Sequence, residues 1–153
     1  MKVLLVEDDE VKGSEIVGYL EDAYAESEIT WTKSFDGALE ELTGESGAEI
    51  MILDMSLPTH EMAAGDLSGA ENFAGRDLLQ QMKFRRIAMP TIVVTMFDQF
   101  GKGSSVVSVD ELRSEMATEF PDNFIGLVYY SLAEVGWRSS LKKYIDRVKG
   151  PVR

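Results

Sequence analysis

The sequence predicts a doubly wound α/β fold, in which a five-stranded parallel sheet flanked by five helices forms a three-layer sandwich. Short apolar runs recur along the chain, and stretches with helical periodicity separate them. Strands that alternate with helices form βαβ units, whose crossovers are right-handed and whose strands are parallel. The length of 153 residues suits a single domain over 1–153.

The first half of the chain alternates strand-like and helix-like segments. Two strand-like segments carry apolar runs without alternation, as expected of strands buried on both faces, and one alternates, as a half-buried strand does. The predicted elements are a strand over 2–6 (KVLLV), a helix over 9–24, a strand over 28–34 (EITWTKS), a helix over 36–42 (DGALEEL) and a strand over 50–54 (IMILD). The buried face of the first helix is predicted to contain Val11, Ile16, Val17, Leu20, Ala23 and Tyr24.

The second half continues the same alternation. Ser108 and Glu111 have the spacing of a capping box, and Ser131 and Glu134 repeat it, so a helix is predicted to start near each serine. The predicted elements are a helix over 75–84, a strand over 91–95 (TIVVT), a helix over 108–120, a strand over 124–130 (FIGLVYY) and a helix from there to about 148.

Composition excludes several classes of function. The formal charge of −12 argues against direct nucleic-acid binding, which needs basic side chains for the phosphates. The absence of cysteine excludes disulfides and zinc–thiolate sites. The sequence shows neither a signal-peptide pattern nor an apolar run long enough to span a membrane, so a cytoplasmic location is predicted.

Acidic and hydroxyl side chains follow three of the predicted strands. Glu7 and Asp8 come after the first, Asp54 ends the third and Thr95 ends the fourth. Ligands of such sheets bind beyond the carboxyl ends of the strands, where carboxylates can hold Mg²⁺ and an aspartate can attack phosphorus. The alternative is that the EDDE stretch favours the start of a helix through its dipole and that Asp54 is an ordinary turn residue.

These motifs together resemble the receiver domains of bacterial two-component response regulators, whose fold is flavodoxin-like (CheY-like). The resemblance rests on VLLVEDDE, SFDGALEEL, MILDMSLP and MPTIVVT and on the order of the elements, and it covers nearly the whole chain. It implies the following roles: an acidic pair at Glu7 and Asp8, a phosphoacceptor at Asp54, a switch hydroxyl at Thr95, a helix-start residue at Asp9, and a Mg²⁺ site of Glu7, Asp8, Asp54 and the Ser56 carbonyl.

The resemblance implies a stand-alone response regulator in a phosphorelay. It would receive a phosphoryl group from a sensor histidine kinase or a phosphotransfer protein and signal through a downstream protein target. A homodimer is a further assembly that the resemblance allows. The alternative is a pseudo-receiver, a constitutive protein-interaction module without phosphorylation. An enzyme is not expected, because an aspartyl-phosphate phosphatase would usually need a second acid at the position of Ser56.

The sequence departs from the receiver pattern in three places. Receivers usually carry a lysine at the end of the fifth strand, where this chain has Tyr129 or Tyr130, so no cation is expected at that strand end. Lys102 is the candidate substitute. An insertion at 59–74 separates the third strand from the third helix. The interpretations open for it are a lid, a partner surface and a loop without a role. Met96 stands where receivers usually have a small residue.

Overall fold

The computed structural model describes residues 1–55, 74–96, 99–100 and 107–150. A parallel sheet of five strands in the order β2-β1-β3-β4-β7 forms the centre, and a two-stranded antiparallel ribbon, β5-β6, lies beside it. The elements are β1 (Lys2–Val6), α1 (Glu10–Ala23), β2 (Glu28–Thr32), α2 (Phe35–Thr43), β3 (Ile50–Leu53), α3 (Ala74–Phe84), β4 (Thr91–Thr95), β5 (Gln99–Phe100), β6 (Val107–Ser108), α4 (Val109–Glu119), β7 (Phe124–Tyr129) and α5 (Gly136–Lys149).

The predicted fold class is confirmed. The five predicted strands are β1, β2, β3, β4 and β7, and all of their pairings are parallel. The chain proceeds outward from β1 to β2 on one side and from β3 to β7 on the other, so the strand order reverses between β1 and β3. Ligands of open α/β sheets bind at the carboxyl ends of the strands on either side of such a switch point.

The core consists of two apolar layers, one on each face of the sheet. Because successive side chains of a strand point to opposite faces, Leu4 and Val6 pack toward α2, α3 and α4, whereas Val3 and Leu5 pack toward α1 and α5. Every residue of β3 and β4 is buried. This explains the apolar runs that predicted both strands.

The buried face of α1 differs from the predicted one. Val11 is 58% exposed, and Ala23 is exposed as well. The buried residues of the helix are Lys12, Gly13, Ile16 and Leu20. Lys12, Ile16 and Leu20 are spaced by four residues, so a lysine occupies a core position one turn before two buried aliphatic side chains.

The helix starts were predicted with mixed success. Asp9 caps α1 by accepting a hydrogen bond from the Lys12 amide, and Ser108 caps α4 by accepting one from Glu111. The predicted start near Ser131 is wrong, because α5 begins at Gly136 and has no side-chain cap. The Ser131 hydroxyl instead accepts a hydrogen bond from the amide of Ala133, within the segment that connects β7 to α5.

Three further sequence predictions fall wholly or largely outside the described residues. The insertion at 59–74 lies outside the described residues, except for Ala74, the first residue of α3. Lys102 and Ser56 also lie outside them. Within the described part of the chain, each helix is too short or too polar to cross a bilayer.

Candidate functional site

The backbone brings the predicted acidic residues to one edge of the sheet. The amide of Glu7 donates to the Thr32 carbonyl at 3.0 Å, and the amide of Asp54 donates to the Val6 carbonyl at 3.0 Å. These bonds extend the ladders of β1 with β2 and of β3 with β1 by one residue. Glu7 and Asp54 therefore lie side by side at the switch point of the sheet.

Three carboxylates meet at this edge. Glu7, Asp8 and Asp54 each offer an oxygen, and these oxygens all lie within 4.8 Å of one another. Glu7 is 1% exposed and Asp54 6% exposed, whereas Asp8 is exposed. Solvent therefore reaches this group of carboxylates at Asp8, whereas Glu7 is shielded from solvent. The prediction that these three residues lie together is consistent with the structure.

A buried lysine lies against the carboxylates. Lys12 extends from the first turn of α1, its ammonium contacts the carboxylate of Glu7, and Nζ is 3.3 Å from Oδ1 of Asp54. Nζ also donates to the carbonyl of Val94 at 2.7 Å. A cation therefore reaches the carboxylates from a helix, whereas the end of β7 carries the two tyrosines.

The two tyrosines at the end of β7 have different surroundings. Tyr129 pairs with Thr95 and is 49% exposed. Tyr130 is 1% exposed, its amide donates to the Thr95 carbonyl at 2.8 Å, and its hydroxyl donates to the carboxylate of Glu15 in α1. Tyr130 therefore connects the strand end to α1. Its ring packs against Trp137 of α5, with the ring centroids 5.2 Å apart.

A relative of known type matches nearly the whole chain. The Detocs response regulatory protein DtcB of Enterobacter cloacae (strain JD6301) is 31% identical over 150 residues, which cover 97% of this chain and 100% of that protein. The chain belongs to the response regulator family. No protein-family model matches it.

Solved structures agree on the fold of this response regulator. The phosphorylated cyanobacterial phytochrome response regulator RcpA has a TM-score of 0.67 at 17% identity, with coverage of 99% of this chain and 96% of that one. A CheY-like response regulator receiver domain protein from Methanospirillum hungatei JF-1 has a TM-score of 0.63 at 18% identity, with coverage of 97% and 93%. At these identities the likeness shows the receiver fold alone.

The carboxylates of this response regulator repel one another. Burial, and after it the negative charge of Asp54, raise the pKa of Glu7 to about 9, although the ammonium of Lys12 opposes both effects. Burial and the charge of Asp54 also raise the pKa of Asp8. The folded site therefore favours protons or cations, which relieve the repulsion.

We expect the metal-free protein to lose stability as the pH rises from about 5 to about 8. The pKa of Glu7 is 4.5 when the chain is unfolded and about 9 when it is folded, so the folded state binds one more proton between these values. That proton stabilises the fold at low pH, and its loss at higher pH removes the contribution. Urea denaturation in EDTA buffers at several pH values measures the effect.

The matched control for the pH dependence is Glu7→Gln, which carries no titratable group at this position. Its unfolding free energy should vary less with pH than that of the wild type over the same range. Parallel pH profiles for the two proteins would contradict the raised pKa of Glu7.

A tryptophan lies directly against the site. The indole Nε1 of Trp31 donates to the carbonyl oxygen of Glu7 at 2.8 Å. The same ring covers Gly13 of α1 so closely that an added Cβ would lie 2.1 Å from its Cζ2 atom. Because the indole contacts both the acidic strand end and α1, its fluorescence reports on changes in the site.

Sequence reasoning missed Lys12, although the sequence contained one signal for it. Lys12 lies four and eight residues before Ile16 and Leu20, on the same side of an amphipathic helix. A lysine in such a register buries its charge only where acidic partners meet it. The neighbouring EDDE stretch supplies one such partner, Glu7, and Asp54 supplies the other.

Proposed function

We propose that this response regulator accepts a phosphoryl group on Asp54, in the cytoplasm, and signals through protein contacts. The observation that carries the proposal is the close group of Glu7, Asp8 and Asp54 at the switch point of the sheet. The phosphoryl donor would be a phosphohistidine of a sensor histidine kinase or phosphotransfer protein. Family membership supports this assignment.

The proposed reaction is a transfer between two nucleophiles. An oxygen of Asp54 attacks phosphorus, the bond from phosphorus to the histidine nitrogen breaks, and an acyl phosphate forms on the aspartate. Asp54 is suited to this role because its amide is held by β1 and its Oδ1 lies 3.3 Å from the ammonium of Lys12. Because both its backbone amide and its carboxylate are held in place, Asp54 needs little reorganisation before attack.

The residues of the site fit a magnesium ion. Oε1 of Glu7 is buried and, among the described residues, receives no well-directed hydrogen bond, although the ammonium of Lys12 lies against it. Glu7, Asp8 and Asp54 offer the hard oxygen ligands that Mg²⁺ prefers, and the Ser56 carbonyl is the fourth proposed ligand. When bound, Mg²⁺ would neutralise charge on the transferred phosphoryl oxygens.

The proposed contact surface for a downstream target, or for a second copy of the chain, lies at the end of β7. Leu132 and Val135 are each 64% exposed, and Tyr129 is 49% exposed. Tyr129 lines a groove between β7 and α5 together with Arg113 and Lys143, and Leu132 and Val135 lie in the segment that connects these two elements. An apolar centre with a charged rim is the usual composition of a protein interface.

Incubation with acetyl phosphate and Mg²⁺ tests the proposed function. We expect wild-type protein to gain the mass of one phosphoryl group, detected by intact-protein mass spectrometry and by a phosphate-affinity gel. Asp54→Asn should gain none, because its amide is not a nucleophile toward phosphorus. EDTA should reduce uptake strongly, since the transferred charge would then lack its cation.

A pseudo-receiver is the second candidate, because the end of β7 carries tyrosines where receivers usually carry a lysine and Met96 stands where they usually have a small residue. If wild type gains no mass after incubation with acetyl phosphate or with a phosphohistidine donor, phosphoryl transfer is contradicted. That result would favour the interaction module instead.

A further inference from the structure

We propose that Lys12 serves as the phosphoryl-anchoring cation of this site, delivered from α1 in place of the lysine that receivers usually carry at the end of the fifth strand. The inference rests on the proposed phosphorylation of Asp54. It assigns a positioning role to a residue outside every motif that identified the family.

Lys12 contacts the ends of three strands. Its Nζ touches the carboxylate of Glu7 after β1, lies 3.3 Å from Oδ1 of Asp54 after β3, and donates to the Val94 carbonyl in β4 at 2.7 Å. An ammonium has three N–H donors, and each has an oxygen in reach here. The positive charge is therefore fixed at the nucleophile itself.

Burial makes a purely structural role costly. The side chain of Lys12 is 2% exposed, and an ammonium removed from water needs good ionic partners to offset its desolvation. An aliphatic residue at this position would continue the apolar series of Ile16 and Leu20 without that cost. A charge at this position therefore fits a functional requirement of the site better than a packing requirement of α1.

One of the two tyrosines at the usual lysine position supports this arrangement. Tyr130 lies beyond the end of β7, and its hydroxyl reaches Glu15, three residues after Lys12 in α1. This hydrogen bond holds the first turns of α1 against the strand ends. The strand end thus contributes a contact that positions the helix, and the helix contributes the cation.

Lys12 would act on phosphorylation without forming or breaking a covalent bond. When an Asp54 oxygen bonds to phosphorus, the carboxylate becomes an uncharged acyl group and the phosphoryl group brings new negative oxygens. The ammonium then pairs with those oxygens, in a charge-assisted hydrogen bond. In the unmodified protein the same ammonium opposes a second cation at Glu7 and Asp54, because like charges repel.

Two measurements on Lys12→Met test the inference, because the two expected effects have opposite signs. Mg²⁺ should bind about tenfold more tightly than in wild type, since a competing charge is removed. Phosphoryl uptake from acetyl phosphate, measured at saturating Mg²⁺, should be slower by about tenfold or more, since one charge-assisted contact is lost. Trp31 fluorescence follows Mg²⁺ binding, and mass spectrometry follows uptake.

The control is Lys2→Met, which removes the same charge from a lysine that pairs with Glu28 on the surface at the other end of β1. It should change neither measurement by more than about twofold. Lys12→Arg keeps the charge and should keep the Mg²⁺ affinity near that of wild type. If circular dichroism shows that Lys12→Met does not fold, Lys12→Gln repeats the test.

The outcomes separate this inference from the proposed function. Uptake by wild type at a rate that Lys12→Met matches overturns the role of Lys12 and leaves the function of Asp54 intact. Weakening of both Mg²⁺ binding and uptake in Lys12→Met indicates general damage and also overturns it. Absence of uptake by wild type and by Asp54→Asn alike overturns the proposed function, and the phosphoryl role of Lys12 with it.

Discussion

Replacement of Gly75 by alanine should lower the free energy of unfolding by about 3 kcal/mol. Gly75 lies in the first turn of α3, and its amide donates to the Met55 carbonyl at 3.1 Å. An added Cβ would lie 2.6 Å from the carbonyl oxygen of Asp54 and 2.8 Å from Cα of Met55. Both are backbone atoms, so the helix must move away from the end of β3. Urea denaturation measures the loss.

The same change should also weaken Mg²⁺ binding, since the backbone that must yield carries the Asp54 carboxylate. Gly136→Ala is the matched control: Gly136 lies in the first turn of α5, and an added Cβ would meet no atom within 4 Å. Its stability should stay within about 0.5 kcal/mol of wild type, or rise slightly. Equal stabilities of the two variants would show that α3 does not depend on close contact with Asp54.

Gly13→Ala should cost about 2 kcal/mol of unfolding free energy. The new methyl group would collide with the indole of Trp31, which must rotate away or push α1 outward. In either case the hydrogen bond from Nε1 to the carbonyl of Glu7 is strained or lost. We therefore expect a shift of the tryptophan emission together with the lower midpoint of urea denaturation.

Gly18→Ala in the same helix is the control for Gly13→Ala. Nothing lies within 4 Å of a Cβ built at Gly18, so the substitution should stabilise the protein by about 0.5–1 kcal/mol through its effect on the helical backbone. Opposite signs for two identical changes in one helix would isolate the contact with Trp31. A gain of stability in both variants would contradict that contact.

The fold was predictable because its strands are buried on both faces. Apart from Lys2, Thr91 and Thr95, the residues of KVLLV, IMIL and TIVVT are apolar, and all but Lys2 are buried. The acidic group at the sheet edge was predictable for a related reason, since the carboxyl ends of parallel strands meet at one edge. Family membership confirmed the resemblance that these motifs indicated.

The remaining errors come from contacts that are distant in sequence. Periodicity counts lysine as a surface residue, but Lys12 is buried because Glu7, Asp54 and Val94 all offer oxygens to its ammonium. Ser131 has the spacing of a helix cap, but its hydroxyl accepts a hydrogen bond within a turn. The sequence does not distinguish such a turn from a helix start. Both outcomes depend on tertiary contacts rather than on local propensity.

The contacts between α1 and the strand ends run in both directions, and they restrict which substitutions this site tolerates. Lys12 reaches from the helix to the strand ends, and Tyr130 reaches from a strand end to the helix. Replacement of Tyr130 by lysine alone would remove the contact with Glu15 and bring a second ammonium group to the same strand ends, and loss of Lys12 alone would leave no cation from these two positions. Each of these single substitutions would leave the site with an unbalanced charge. The two positions should therefore be inherited as a pair, changing together or not at all.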